Sequence, residues 1–316
     1  MKKIYSIIIA LLSFILICMI LILVRGLKWA APGEEANITL PSEQAKSAKN
    51  SGTKVTATFD NILEIASDFN DLMRFVYSVD ATAYVDKKDL PIEEFLQYDF
   101  KTDLKGKKPK ILIFHTHSQE AYANSKKGEV DDTIVGVGRK LAEILTKEYG
   151  INVVHDVGIY DVADGKEQRA GSYEKMEPAT KSILKKYPSI EIAIDLHRDA
   201  LAKNTKLVTS IDGKPTAKIM YFNGVSKENK NGKPNVLSNL YNPYQKENLA
   251  FSLQMFLTTN EMYPDLARRN FIKPYRYSLH LLPKSLLIEV GSTTNTVQEA
   301  KNAMYALADV LVKLIK

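Results

Sequence analysis

The sequence predicts an α/β fold, with a mixed, mostly parallel central sheet flanked by helices and an N-terminal transmembrane helix ahead of it. Three observations lead there. Short apolar, β-favouring runs at Ile111–Phe114, Ile192–Leu196 and Leu286–Val290 read as strands buried on both faces. Segments with helical spacing of apolar residues lie between them, the alternation that builds a sheet covered on both sides. An uncharged run from Ile4 to Val24, between Lys2-Lys3 and Arg25, has the ~20 residues a membrane-crossing helix needs.

Taken in order, the chain opens with that run. It is longer than the roughly 7–15 apolar residues of a cleaved signal, and Ala30-Ala31 lies well past its end, so an uncleaved anchor is expected. Lys2 and Lys3 suggest a cytoplasmic tip, with the bulk of the chain outside the cytoplasm. Residues 1–25 are thus tip and anchor, and the Ala-, Ser-, Glu- and Lys-rich stretch 26–54 is a solvated linker. From Phe59 to Phe75 the apolar spacing predicts one helix, followed by an extended piece through Val85 and a short helix near Pro91–Tyr98. Residues 55–104 form either a helical subdomain or a brace on the catalytic domain. The Lys- and Gly-rich segment before Lys110 marks a boundary, and the catalytic domain is expected to span 105–316.

In that part, Asp131 or Asp132 can cap a helix that stops near Gly150. Ile151–Asp156 is a strand, and Ser172 opens a helix ended by Tyr187-Pro188. Lys206–Phe222 reads as a hairpin turning at Asp212-Gly213. Helices follow at Tyr244–Tyr263 and Val297–Ile315, with the strand at Leu286–Val290 between them.

Composition narrows the classes. A 45% hydrophobic and 25% charged chain of 316 residues has ample material for a core. Cys18, the only cysteine, sits in the apolar run, so disulfides and thiolate zinc play no part in the exterior portion. The net charge of +6 suits anionic wall polymers. Its lysines are interleaved with acids instead of forming a block, which argues against nucleic acid. No GxGxxG or GxxxxGK[ST] motif supports nucleotide binding.

The chemistry gathers at strand ends. His115-Thr116-His117 stops the first run, Glu120 follows three residues after His117, His197 closes the second run, and Glu289 interrupts the third. Catalytic zinc takes three protein ligands and keeps an open position. His117 and Glu120 are close enough to share an ion, and His197 supplies the third ligand if its strand is a neighbour. Glu289, a carboxylate costly to bury unless its charge is used, is the candidate proton carrier. Strand alternation gives His115 either a ligand role or a supporting one. His155 reads as an exposed strand end, and His280, which could line a cleft, reads more simply as a structural histidine.

These residues also carry a resemblance. FHTHSQEAY, DLHRDA and LLIEVGSTTNTVQEA resemble the three signature blocks of the stage II sporulation protein P family, over roughly Lys110 to the C-terminus. That family is related to zinc-dependent N-acetylmuramoyl-L-alanine amidases. The resemblance implies zinc on His117, Glu120 and His197, catalysis by Glu289, and substrate or ligand-supporting roles for His115, Arg198 and Asn295. It also implies hydrolysis of peptidoglycan in sporulation, with amidase and endopeptidase action, and stage II sporulation proteins D and M as partners. The chain departs from ordinary amidases in lacking their Gly-rich first block and in the short spacing from His to Glu. A zinc carboxypeptidase-like enzyme acting on stem peptides and a non-catalytic wall-binding scaffold are the competing expectations.

Overall fold

The computed structural model describes residues 55–104, 106–202 and 205–316. The run Ile4–Val24, with Cys18, and the linker to residue 54 lie outside the described residues. Among those described, no helix is long and apolar enough to cross a membrane.

The stretch expected as one helix forms two, α1 (Ile62–Ser67) and α2 (Phe69–Phe75). Asp68 divides them: its backbone is extended (φ −107°, ψ 123°), and its carboxylate accepts the Asn70 N–H as the cap of α2. Strand β1 (Tyr77–Val79) and helix α3 (Ile92–Leu96) follow. Then come β2 (Ile111–Phe114), α4 (Ile134–Lys147) and β3 (Val153–His155). Thr133, not Asp131 or Asp132, caps α4, because those two residues are taken up in a tight turn just before it.

A small hairpin, β4 (Val162–Ala163) and β5 (Lys166–Glu167), leads to α5 (Ser172–Lys186) and the long β6 (Ile192–Asp199). The turn at Asp212-Gly213 joins β7 (Val208–Ile211) to β8 (Lys214–Ala217), with both turn residues at positive φ. The expected hairpin is shorter than its sequence signal, since Ile219 onward leaves it as a core strand, β9 (Ile219–Gly224). A second hairpin, β10 (Lys227–Lys230) and β11 (Lys233–Val236), precedes α6 (Gln245–Met262) and β12 (Asn270–Lys273). The chain closes with β13 (Lys284–Ser292) and α7 (Val297–Ile315).

Seven strands share one sheet in the order β1-β12-β9-β13-β6-β2-β3. Pairing is parallel within β1, β12 and β9 and within β13, β6, β2 and β3, and antiparallel where β9 meets β13. The sheet is mixed and mostly parallel, and the three chemistry-bearing strands β2, β6 and β13 are consecutive neighbours. On one face, Ile111, Ile194, Leu196 and Ile288 pack into a large core with α4, α6 and α7. On the other, Leu112, Phe114 and Ala193 meet Met176 of α5. Beyond α5 the same face, with Met220, Phe222 and Leu287, packs against Leu279 and Tyr277 of the segment before β13.

Residues 55–104 belong to the same core. Ile62, Leu72, Tyr77 and Phe95 are buried in the cluster that holds the main sheet. Their segment also explains why α6 lacks a polar stripe: it is covered on nearly every side. Gln254 donates to the carbonyls of Phe95 and Tyr98, Asn260 to Ala57, and Asn248 to Leu282 and Pro283, so its buried polar groups are satisfied.

Candidate metal centre

Because β2 and β6 are parallel and paired, their C-terminal ends lie side by side. The loop leaving β2 brings His117 and Glu120 to the end of β6, where His197 stands. One ligand atom from each of His117, Glu120 and His197 lies within 4.8 Å of the others, and all three side chains are buried. His117 Nδ1 is 3.7 Å from Glu120 Oε1, and His197 Nδ1 is 3.5 Å from Glu120 Oε2. Glu120 is held in place by the Arg198 backbone N–H on Oε2 (2.6 Å) and the Arg169 guanidinium on Oε1 (2.9 Å).

Glu289 pairs in register with His197 across β13 and β6, so the two side chains share a sheet face. Its Oε2 is buried with no hydrogen-bond partner among the described residues. Just after it the register shifts before Ser292, where Gly291 takes a left-handed φ of 64°. Bulges of this kind bend a strand and re-aim side chains at site edges.

The charges are unevenly shared. Burial alone would raise the Glu120 carboxyl, but His197 and His117 beside it outweigh that and hold it well below the usual range. Burial would likewise lower His197, yet Asp195 and Glu120 raise it well above an ordinary histidine. Glu289 goes the other way: burial, then the like charges of Asp199 and Glu120, push it up to about 8. Two nearby carboxyls with opposite tendencies are the pattern that separates a ligand from a proton carrier.

The other sequence candidates take distinct places. His115 points to the opposite face, where Nδ1 bonds the Leu196 carbonyl (2.9 Å) and Nε2 meets His155 Nε2 (2.9 Å). Burial and the neighbouring His155 depress it to about 3, a neutral imidazole packed against Gly138 of α4. It is thus outside the His–Glu–His group and bonds the residue before His197 through the Leu196 carbonyl. Asn295 accepts the Ser292 N–H and donates to Leu207 O and Glu299 Oε2, tying the end of β13 to the start of α7. The Arg198 side chain donates to Asp199 O at 3.3 Å. His280 lies against Glu177 of α5.

Four contributors were not singled out from sequence. Asp161 accepts from Ser118 Oγ and the Gln119 N–H and so fixes the loop carrying Glu120. Arg169 bonds Glu120, and the Tyr173 ring stands edge-on to His117 at 5.8 Å. Asp195 bonds both the N–H and the hydroxyl of Thr116. Asp195 alone had a visible signal: like Glu289, it is an acid inside an apolar strand. The loop residues Asp161 and Arg169 carry none.

Fold and site together define a mixed α/β protein with a buried His–Glu–His group suited to a metal at the ends of central strands. The family model of stage II sporulation protein P matches residues 28–312, and the chain belongs to that family. Stage II sporulation protein P of Bacillus subtilis (strain 168) is 26% identical over 223 residues, covering 66% of this chain. The chain spans about half, 52%, of that relative's length. Solved structures similar to it include the N-acetylmuramoyl-L-alanine amidase AmiC2 of Nostoc punctiforme, at 12% identity and a TM-score of 0.37, covering 66% of this chain and 98% of that one. The N-acetylmuramoyl-L-alanine amidase of Clostridium difficile 630 gives 16% identity and the same TM-score, over 66% and 97%. At such superposition neither bears on activity.

Proposed function

We propose that this chain is a zinc-dependent amide hydrolase that cleaves peptidoglycan during sporulation, at the N-acetylmuramoyl-L-alanine bond and, in the same groove, at stem-peptide amides. The observation that carries the reading is the buried His117–Glu120–His197 group with Glu289 in register beside it. The donor set fits zinc. His117 Nδ1 lies 3.7 Å from one Glu120 oxygen and His197 Nδ1 3.5 Å from the other, so both rings face the same carboxylate. Two imidazoles and one carboxylate are also a usual zinc donor set that leaves a position open. Bound there, zinc would supply Lewis acidity and lower the pKa of a water.

The remaining work falls to the chain. Glu289, in register beside His197 with Oε2 aimed at no partner among the described residues, would in the ionised form that a nearby cation favours take a proton from the attacking water and pass it to the departing nitrogen. Arg169 and the Arg198 N–H hold Glu120, so the carboxylate need not reorganise during the reaction. Membership of the family supports a role in sporulation. Ile4–Val24 is proposed as the anchor that keeps the enzyme beside the wall, raising its local concentration there. Stage II sporulation proteins D and M are the proposed partners.

The test is mass spectrometry of purified wall after digestion by the full chain, with and without a chelator. Free stem peptides, intact glycan and loss of activity on chelation are expected. His197→Ala should abolish release, and Glu289→Gln should slow it about 10²–10⁴-fold, both with unchanged circular dichroism. Undiminished activity in either variant would remove the site assignment. Shortened peptides still attached to glycan as the only products would replace amidase by peptidase.

A further inference from the structure

One buried carboxylate at the centre takes no part in the proposed hydrolysis. Asp195 lies two residues before His197 on β6, so both side chains project from the same face of the sheet. It is fully buried. Its Oδ1 accepts the Thr116 N–H at 3.0 Å, and its Oδ2 accepts the Thr116 hydroxyl at 2.7 Å, which fastens it to the loop carrying His117 and Glu120. A carboxylate removed from water is retained at a cost unless its charge meets a partner. The cation-forming group beside it is the His197 ring, whose Nε2 lies 2.8 Å from Oδ1.

The ring's two nitrogens are therefore divided. Nδ1 is turned toward Glu120 Oε2, and Nε2 toward Asp195 Oδ1. Among the described residues Nε2 makes no hydrogen bond, its N–H not being aligned on Oδ1, so the contact is one of charge and proximity. An imidazole that binds a metal through one nitrogen keeps its proton on the other, and an acceptor at that proton selects the tautomer and orients the ring.

We propose that Asp195 is a positioning residue: it keeps the proton of His197 on Nε2, presents Nδ1 to the cation, and through Thr116 locks this ring to the loop that supplies the other two ligands. The inference rests on the zinc reading of the site and adds to it which nitrogen of His197 binds and what aims it. A carboxylate whose only task was to pin the Thr116 loop would alter the metal's affinity through His117 and Glu120 but leave the ring's tautomer untouched.

Both are measured on the purified full chain with zinc alone as the probe. Asp195→Asn keeps the shape and an acceptor oxygen but removes the charge. It is expected to weaken zinc binding about 10–100-fold in a chelator competition, while circular dichroism stays that of the parent. Thr116→Val, which removes only the hydroxyl on Oδ2, should lower affinity in the same direction by less. Nitrogen-15 NMR of the zinc-loaded parent should show His197 protonated at Nε2. Unchanged affinity in either folded variant, or zinc on Nε2, overturns the proposal. If zinc binds as described but wall stays uncut, the hydrolase reading fails and this one stands; a parent that takes up no zinc sinks both.

Discussion

Single side chains in this protein are set by what surrounds them. Glu289 is the clearest case, because its carboxyl rises from the ordinary 4.5 to about 8 under burial and the nearby charges of Asp199 and Glu120. In the metal-free chain the folded state therefore holds a proton between pH 4.5 and 8 that the unfolded state has given up. That contribution to stability is complete below about pH 4.5 and is lost as pH rises toward 8. Glu289→Gln removes the dependence, so its Tm advantage over the parent, in chelator, should be small at pH 5 and reach several degrees at pH 8. A gap that shrinks with rising pH would show the sign to be wrong. Tyr77 gives a simpler test. Its hydroxyl is buried with no hydrogen-bond partner among the described residues, so Tyr77→Phe should stabilise by roughly 1 kcal/mol in chemical denaturation.

At the scale of elements, strand ends and their irregularities do the positioning. β6 delivers Asp195 and His197 on one face, and β13 sets Glu289 opposite His197 before breaking register at Gly291. An added Cβ at Gly291 would lie 2.8 Å from Asn295 Oδ1, and its φ of 64° disfavours any side chain. Gly291→Ala should cost about 1–2 kcal/mol from the left-handed backbone. It should lower wall hydrolysis more than zinc affinity, since it disturbs Glu289 and leaves His117, Glu120 and His197 alone. Equal losses in both would place the bulge's influence elsewhere. The helices were legible where an amphipathic period reached the sequence, as in α7, whose bounds Val297 and Ile315 match the apolar pattern. They were less so where a capping side chain cut a continuous pattern, as Asp68 does between α1 and α2.

For the whole molecule, the sheet's order decides what can be removed. β1 pairs along β12, and Ile62, Leu72 and Phe95 fill the core that backs the central strands. We expect residues 105–316 expressed alone to lack a cooperative thermal transition, because β12 loses its partner and α6 its cover of buried hydrogen bonds. A sharp transition from that fragment would show residues 55–104 to be dispensable. β1 falls within the stretch expected to be extended, but β12 is not visible in the sequence: four residues between turns carry too little pattern to separate a strand from a loop. β9 is hidden for another reason, as its apolar run directly continues a hairpin whose turn signal is strong.

The sequence by itself determined the chemistry on offer: which strands carry His197 and Glu289, which strand end leads into His117 and Glu120, and that the fold alternates helix and strand. Composition and local periodicity suffice for that, since apolar runs and the ionisable residues at their ends are properties of adjacent positions. Only the tertiary structure decided that His117 joins the group while His115 turns to the other face, and that Asp195, Asp161 and Arg169 stand around it. Those facts depend on strand order, register and loop return. They bring together residues tens of positions apart, and no local pattern in the chain encodes them.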